Sequence, residues 1–457
     1  MRRTGNGTGL IGQLRRPPGG RDARLMLFGQ FVDRTGTGVW AASSVLYFTV
    51  VTGLDAARVG LLLGVAGVAG IVGSPLAGRL AMTFPVRTLL IACHLLRIGT
   101  VGLLLALDSF AALLPVVAAT FAGDRAAKTL EMVFATEVAG ERRGTYQALF
   151  RTVANAGYAL GAGIAAVGLA VGAYRALILA NALSFLVAAL LVRCTRRRTP
   201  AGLAKSATGH GGSPAGRGPW RDRGYLRFAL LDIPLNLDDT ILMVGLPLWL
   251  VTCTDAPHLL VPVFLVVNTV MVVLLQLPFS ARFDGPEGAV RALRGYGLAV
   301  AAGCGLLALS ARAPALWAGA LLVATAVVVT VAELLRSVSS WELAVCLAPV
   351  PERAAYLGVA GMSQSVQKSA GPPLITGAVM AAGPLGWLAL GGVLAGLSAV
   401  QMRASSRRLK AMDAGAVVRR EQAGAALPAP TEQAAGLGPA AATAGHARDR
   451  VSPPAAP

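Results

Sequence analysis

What most constrains this chain is the recurrence of apolar runs of about twenty residues, the length at which a helix crosses the roughly 30 Å hydrocarbon core of a bilayer. Such runs fall at about 25–52, 57–80, 86–107, 110–137, 145–168 and 173–192. They resume at about 225–251, 258–281, 290–310, 315–345, 355–379 and 384–402. Inside hydrocarbon every backbone polar group needs a partner within the structure, which leaves helices or closed barrels. Barrel strands alternate apolar and polar residues in short segments, and no such alternation occurs here. Charged residues make up only 14% of the chain, against about a quarter in soluble domains. The reading is an all-α polytopic membrane protein with twelve transmembrane helices.

The net charge of +19 raises the question of a polyanionic partner, and its distribution answers it. Arginines gather in the N-terminal tail (Arg2, Arg3, Arg15, Arg16, Arg21, Arg24), in the middle of the chain (Arg193, Arg196, Arg197, Arg198) and after the last apolar run (Arg403, Arg407, Arg408, with Lys410). The alternate loops hold little positive charge, chiefly Arg58, Arg175 and Arg312. This is the asymmetry of a protein that keeps its basic loops on the cytoplasmic side, and no nucleic acid is needed to explain it. Both termini are then cytoplasmic, in the cell membrane. The organisation reads as a disordered tail over 1–22, a six-helix bundle over 23–193, a Gly/Pro-rich cytoplasmic linker over 194–223, a second bundle over 224–404, and a disordered tail over 405–457. The first run is too long for a signal-peptide core and is kept as a span. Cys93, Cys194, Cys253, Cys304 and Cys346 form no CxxC pair, and the four histidines are scattered. No disulfide framework, metal site or cofactor is indicated.

The fourth span carries an expensive sequence, "TFAGDRAAKTLEMVFATEVAGER" from Thr120 to Arg142. A charge at the centre of a membrane helix costs roughly 2.5–3.5 kcal/mol on insertion scales, and here Asp124, Arg125, Lys128 and Glu131 lie within eight residues. At about 100° per residue Asp124, Lys128 and Glu131 fall within about 60° of one another, with Arg125 beside them. That face must look into protein or water. The tenth span repeats the pattern: Arg336, Glu342 and Glu352-Arg353 keep the spacing of Arg125, Glu131 and Glu141-Arg142. A second echo joins "SPLAGRL" (Ser74 to Leu80) to "LPFSARF" (Leu277 to Phe283), each with Pro-x-x-x-Arg at the end of a span. The two halves therefore read as structural repeats, giving two pseudo-symmetric six-helix bundles. Span seven places Asp232, Asn236 and Asp239 on one face, and span one holds Asp33 and Arg34.

Twelve spans, a central cytoplasmic linker, an arginine in mid fourth span and the "GERRGTY" turn (Gly140 to Tyr146) together resemble the major facilitator superfamily over about 23–404. The sequence departs from that family's signature after span two, where "GRLAMTFPVR" has Met82 and Thr83 in place of Asp and Arg. It keeps Arg79 and Arg87, and its second-half counterpart "ARFDGPEGAVR" keeps Arg282 and Asp284. In span five, "GYALGAG" has Ala162 where the family's antiporter motif carries proline. The resemblance implies that spans one, four, seven and ten line a central cavity. Asp33, Arg34, Asp124, Arg125, Lys128, Glu131, Asp232, Asn236, Asp239 and Arg336 are thus expected to line it. Arg79, Arg87, Glu141, Arg142, Arg282, Asp284, Glu352 and Arg353 are expected at a cytoplasmic gate. Arg151, Asn155 and Tyr158, with Gln364, Gln367 and Lys368, are candidates for the cavity rim. His94 and Arg97 read as packing or snorkelling residues, and the glycines of span two, from Gly60 to Gly73, as a close-packing face. Pro234 and Pro247, and Pro372-Pro373, are expected to kink spans seven and eleven.

These observations fit a secondary transporter working by alternating access as a monomer, with a small-molecule substrate, protons as coupling ions and membrane lipid as surroundings. Proton-coupled efflux of a small organic compound leads. Uptake or facilitated passage of a metabolite or organic anion is the alternative within the class. A non-transporting receptor or scaffold on the same fold is the reading outside it. No nucleotide-binding loop is present, so nothing in the sequence points to ATP-driven transport. No nucleophile–base pair or metal-spaced cluster supports an enzyme, and no catalytic residue is assigned.

Overall fold

The computed structural model describes residues 10–196 and 218–425. The expectations for 1–9, for most of the linker (197–217) and for 426–457 lie outside the described residues. The first half of the chain supplies α1 (Gly20–Leu46), α2 (Ala56–Leu80), α3 (Val86–Leu104), α4 (Phe110–Ala139), α5 (Arg143–Ala170) and α6 (Tyr174–Arg193). The second supplies a broken α7 (Arg223–Leu235, Leu237–Thr240 and Leu246–Cys253), then α8 (Leu260–Arg282), α9 (Gly285–Ser310), α10 (Ala315–Cys346), α11 (Arg353–Leu374) and α12 (Gly383–Ala425). No strand occurs among the described residues.

Local chemistry sets the ends of these elements. The Asp55 side chain accepts the Arg58 backbone N–H at 2.8 Å and caps α2, and Asp222 does the same for α7 through Tyr225 at 3.0 Å. α4 stops at Gly140, whose φ of 53° lies in the left-handed region that glycine tolerates without strain. The α7 break follows Pro234, which removes a helix donor. Beyond it the chain passes through a π-turn at Ile241–Gly245. A second π-turn, Ile375–Val379, follows Pro372-Pro373 in α11. A third, Tyr47–Val51, extends α1 without a proline.

Eight helical stretches among the described residues are long and apolar enough to cross a membrane by length and composition, with Phe110–Ala170 counted as one. The elements outside that set are α1, α7 and α11. They carry Asp33-Arg34, the Asp232–Asp239 stripe and Gln364–Lys368, or are interrupted. Met1–Leu409 forms one compact unit and Lys410–Pro457 a second, in which Lys410–Ala425 is helical.

Two expectations of disorder need correction. Residues 10–15 form a short helix, Leu10–Arg15, whose Leu10 and Leu14 pack on the core. The second tail is helical through Ala425, because between Ala404 and that point the sequence is rich in Ala and Arg and holds no proline.

The chain's two halves meet at one face. We call it the linker face, because α6 ends there at Arg193 and α7 begins there at Arg223. Its members are tied together: Arg87 donates to the Arg193 carbonyl, and Arg408 donates to Asp222 at 2.6 and 2.7 Å and to the Leu347 carbonyl at 3.0 Å. Here α2 crosses α11 so closely that a Cβ on Gly78 would lie 2.5 Å from the Ala354 carbonyl and 2.8 Å from Gly358 Cα. Glycine on both sides is what permits the contact. Higher up, Gly67 still faces Ser369, while Gly60, on the same helix face one heptad earlier, meets nothing within 4 Å. The halves are joined at the linker face and part toward the opposite one.

Candidate translocation cleft

The first half buries a network rather than a single pair. Asp33 on α1 is 1% exposed and accepts from Arg97 Nη1 on α3 at 2.7 Å. Arg34 beside it lies 3.6 Å from Asp124 and 3.5 Å from Glu131. The Gln30 amide, oriented with its nitrogen toward Glu131, donates to Oε1 at 2.9 Å and accepts from Arg34 Nε at 2.7 Å. Asp124 is the hub. It lies 3.4 Å from Arg97, 3.3 Å from Lys128 and 4.0 Å from Arg125. Three carboxylates thus face Arg34, Arg97, Arg125 and Lys128, leaving one cation in excess. The Arg97 guanidinium also stacks on Phe185, 3.7 Å from the ring centroid, a contact that stabilises a desolvated cation.

The second half is built differently. Arg336 on α10 is bound directly to Asp232 on α7, and both are buried. The remaining acceptor capacity of Asp232 is taken by Ser363 at 2.8 Å, Asn236 at 3.1 Å and Ser340 at 3.2 Å. A buried carboxylate satisfied on this scale, with an arginine bound to it, is a structural unit. Asp239, three residues past the break, is 43% exposed and lies 3.6 Å from Lys368 of α11. Gln367 donates to Thr240 at 2.5 Å and holds the short segment after the break against α11.

Among the described residues two ion pairs run between the halves. Arg143 at the start of α5 donates to Glu342 of α10 at 2.6 and 3.2 Å. One level deeper, Arg151 of α5 is bound to Glu333 of α10, which also accepts from Asn268 of α8 at 2.6 Å. Ser280 of α8 adds a bond to the Gly144 carbonyl at 2.8 Å.

Most expected cavity residues therefore meet, each with a definite partner. Lys128 binds Asp124 rather than Glu131. Arg336 belongs to Asp232, and Asp239 pairs with Lys368 instead. Arg97 and His94, read as packing residues, are inside the first network: His94 Nδ1 lies 3.9 Å from Asp33. Their one signal in the sequence was a His and an Arg three residues apart within an apolar span. At the expected gate, Glu141 and Arg142 are exposed and form no ion pair among the described residues, nor do Glu352 and Arg353. The next residue, Arg143, makes the crossing. Arg79 and Arg282 are exposed, and Asp284 sits against Gly144 at the linker face. Arg151 and Glu333 went unpaired in the sequence because they lie on different repeats. Among the described residues no group of His, Cys, Asp and Glu has the arrangement of a metal site.

The profile of the Major Facilitator Superfamily matches residues 26–372. No curated protein matches the chain. Solved structures share its fold at low identity. A bacterial homologue of the iron transporter ferroportin, in an outward-facing state, superposes with a TM-score of 0.64 at 16% identity, covering 85% of this chain and 99% of its own. The proton:xylose symporter XylE bound to 6-bromo-6-deoxy-D-glucose gives 0.64 at 17%, covering 83% and 94%. The human organic anion transporter MFSD10 (TETRAN) gives 0.60 at 16%, covering 85% and 100%. With the family profile spanning most of its length and a cleft of buried charge between two halves, the chain belongs to the major facilitator superfamily of membrane transporters.

Proposed function

We propose that this transporter exports a small organic compound across the cell membrane by alternating access, in exchange for protons, as a monomer of twelve spans. In this reading the bundles over 23–193 and 224–404 rock about the cleft, with the 194–223 linker, the linker face and both termini in the cytoplasm. The observation that carries it is the different state of two repeat-related arginines. Arg336 is 2% exposed and held by Asp232, whereas Arg125 is 12% exposed, with only Asp124 at 4.0 Å. A guanidinium that water reaches is open to a ligand, whereas one buried on a carboxylate is out of a ligand's reach and serves as a scaffold. Lys128, Asp239, Lys368 and Tyr158 are likewise partly or fully exposed, and Asp239 lies 3.6 Å from Lys368.

A second reading, movement of an organic anion, has its own support in the excess cation of the first-half network. The neighbour MFSD10 is an organic anion transporter by name. Flux measured in proteoliposomes over a panel of cationic, neutral and anionic compounds, with and without a pH gradient, separates the two. Gradient-driven movement of a neutral or cationic compound supports export by proton exchange. Movement of anions alone supports the second reading, and no flux of any compound contradicts both.

A further inference from the structure

The charges inside the spans divide by whether a ligand can reach them. Asp33, Glu131, Asp232 and Asp238 are buried, and Glu333 and Glu342 are held by arginines of the other half. Asp124 sits among four cations. Asp239 differs from all of these. It is the most exposed of them, and its partner Lys368, at 3.6 Å, is half-exposed as well. An ion pair that water reaches on both sides is worth at most about a fivefold change in an equilibrium, so it gives way readily. Among the cations, Arg34, Arg97 and Arg336 are buried on carboxylates. Arg125 has only Asp124 among the described residues, at 4.0 Å, beyond hydrogen-bond reach.

The glycines of α2 bring these two reachable charges near each other. A Cβ on Gly70 would lie 3.1 Å from Cγ of Arg125 on α4, and one on Gly67 would lie 2.8 Å from Oγ of Ser369 on α11. Positions three apart on a helix share a face, with Cβ atoms about 5–6 Å apart. Arg125 Cγ and Ser369 Oγ are therefore within about 12 Å of each other. One turn along α4 from Arg125, Thr129 meets α11 directly, since a Cβ on Gly361 would lie 3.0 Å from its Oγ1. Ser369 adjoins Lys368, whose Nζ faces Asp239. A loosely held cation of the first half and a loosely held carboxylate of the second thus stand a small molecule's length apart.

We propose that the exported compound is a zwitterion, its acidic group bound by Arg125 and its ammonium group by Asp239 in place of Lys368. The proposal rests on the export reading above and names its substrate class. The planar guanidinium fork of Arg125 matches a carboxylate, and Lys128, on the next turn of α4, adds a second positive charge. Lys368 gives up Asp239 to the incoming ammonium and moves into water, and no buried pair has to open. A compound with an acid alone leaves the Asp239–Lys368 pair closed and gains one contact. A compound with an amine alone leaves Arg125 without a partner and meets its positive charge.

The test is calorimetric titration of the full chain in lipid nanodiscs, with empty nanodiscs as the blank. The probes are ω-amino carboxylates from β-alanine to aminooctanoate, each beside the alkyl carboxylate and the alkylamine of the same length. In the wild type the best-fitting amino acid should bind about ten- to a hundredfold tighter than either singly charged partner, the gain of one charged contact. Arg125→Gln should bring it down to the level of the amine without weakening the amine. Asp239→Asn should bring it down to the level of the carboxylate without weakening the carboxylate. Lys368→Ala frees Asp239 and should tighten the amino acid by up to about fivefold; it decides the matter if Asp239→Asn does not fold. A wild type that prefers no amino acid over its singly charged partners overturns the proposal. So do Arg125→Gln and Asp239→Asn variants that weaken all three compounds alike, or a Lys368→Ala variant that binds the amino acid more weakly. Flux in proteoliposomes keeps this proposal apart from the reading beneath it. Zwitterion flux indifferent to a pH gradient contradicts proton exchange and supports the substrate class, whereas gradient-driven flux of singly charged compounds without zwitterion preference contradicts only the substrate class.

Discussion

The two halves of the molecule solve the same problem, an arginine in the middle of a membrane, in opposite ways. In the second half Arg336 is closed off: Asp232 binds it, and three polar side chains fill the remaining positions on that carboxylate. In the first half the equivalent Arg125 is displaced from the carboxylates. Asp33 is taken by Arg97 and Glu131 by Arg34 and Gln30, and Asp124 is shared among four cations. Recruiting Arg97 from α3 leaves Arg125 with spare donors at the cleft. The repeat thus preserves the cation while changing which carboxylate owns it, and a repeated residue need not repeat its role.

The largest effect expected of this contrast is on stability. Arg336→Ala strands Asp232 in a buried site, and breaking such a pair costs about 3–5 kcal/mol. The variant should show a large fall in Tm in detergent. Asp232→Asn combined with Arg336→Leu should recover much of it, because no charge is left unpaired. If Arg336→Ala melts like the wild type, the second half is not the rigid one. A smaller effect is expected at the contact between halves. Glu342→Gln removes the charge bound by Arg143 and should raise the reactivity of a cysteine placed at Gly144, without lowering expression. Unchanged reactivity would mean that this pair does not help close the linker face.

The smallest effect concerns acid stability. Hydrogen bonds from Arg408 hold the Asp222 carboxyl down to about 2, against an ordinary value of 3.8. A depressed carboxyl stabilises the fold above its ordinary range and loses that contribution as pH falls through the lowered value. The Tm gap between wild type and Asp222→Asn should therefore hold from pH 7 to about 4 and close toward pH 2. A gap that widens in acid would reverse the sign.

How much of this was readable beforehand follows from the range of the interactions. Apolar runs, helix ends near Pro and Gly, and the stripe on α4 are local, and apart from the extended end of α12 they appear in the structure close to where periodicity puts them. The break after Pro234 was likewise written in α7. Partner choice was not readable. Whether Arg336 meets Asp232 or Asp239 depends on the turn lost at Asn236, which rotates the residues after it onto another face. Arg97 looked inert because only the packing of α3 against α1 and α4 brings it to Asp33. Arg143–Glu342 and Arg151–Glu333 join the two halves of the chain, and no spacing within one helix points across that gap.

The central claim is that Arg125 serves transport and Arg336 serves the fold. It is tested most directly by making Arg125→Ala and measuring Tm and substrate flux on the same purified protein. Flux should be lost, while Tm stays within a few degrees of the wild type, because Asp124 keeps Arg97, Arg34 and Lys128. A stable Arg125→Ala protein that transports at the wild-type rate would contradict the claim, as would one that loses stability to the degree expected of Arg336→Ala.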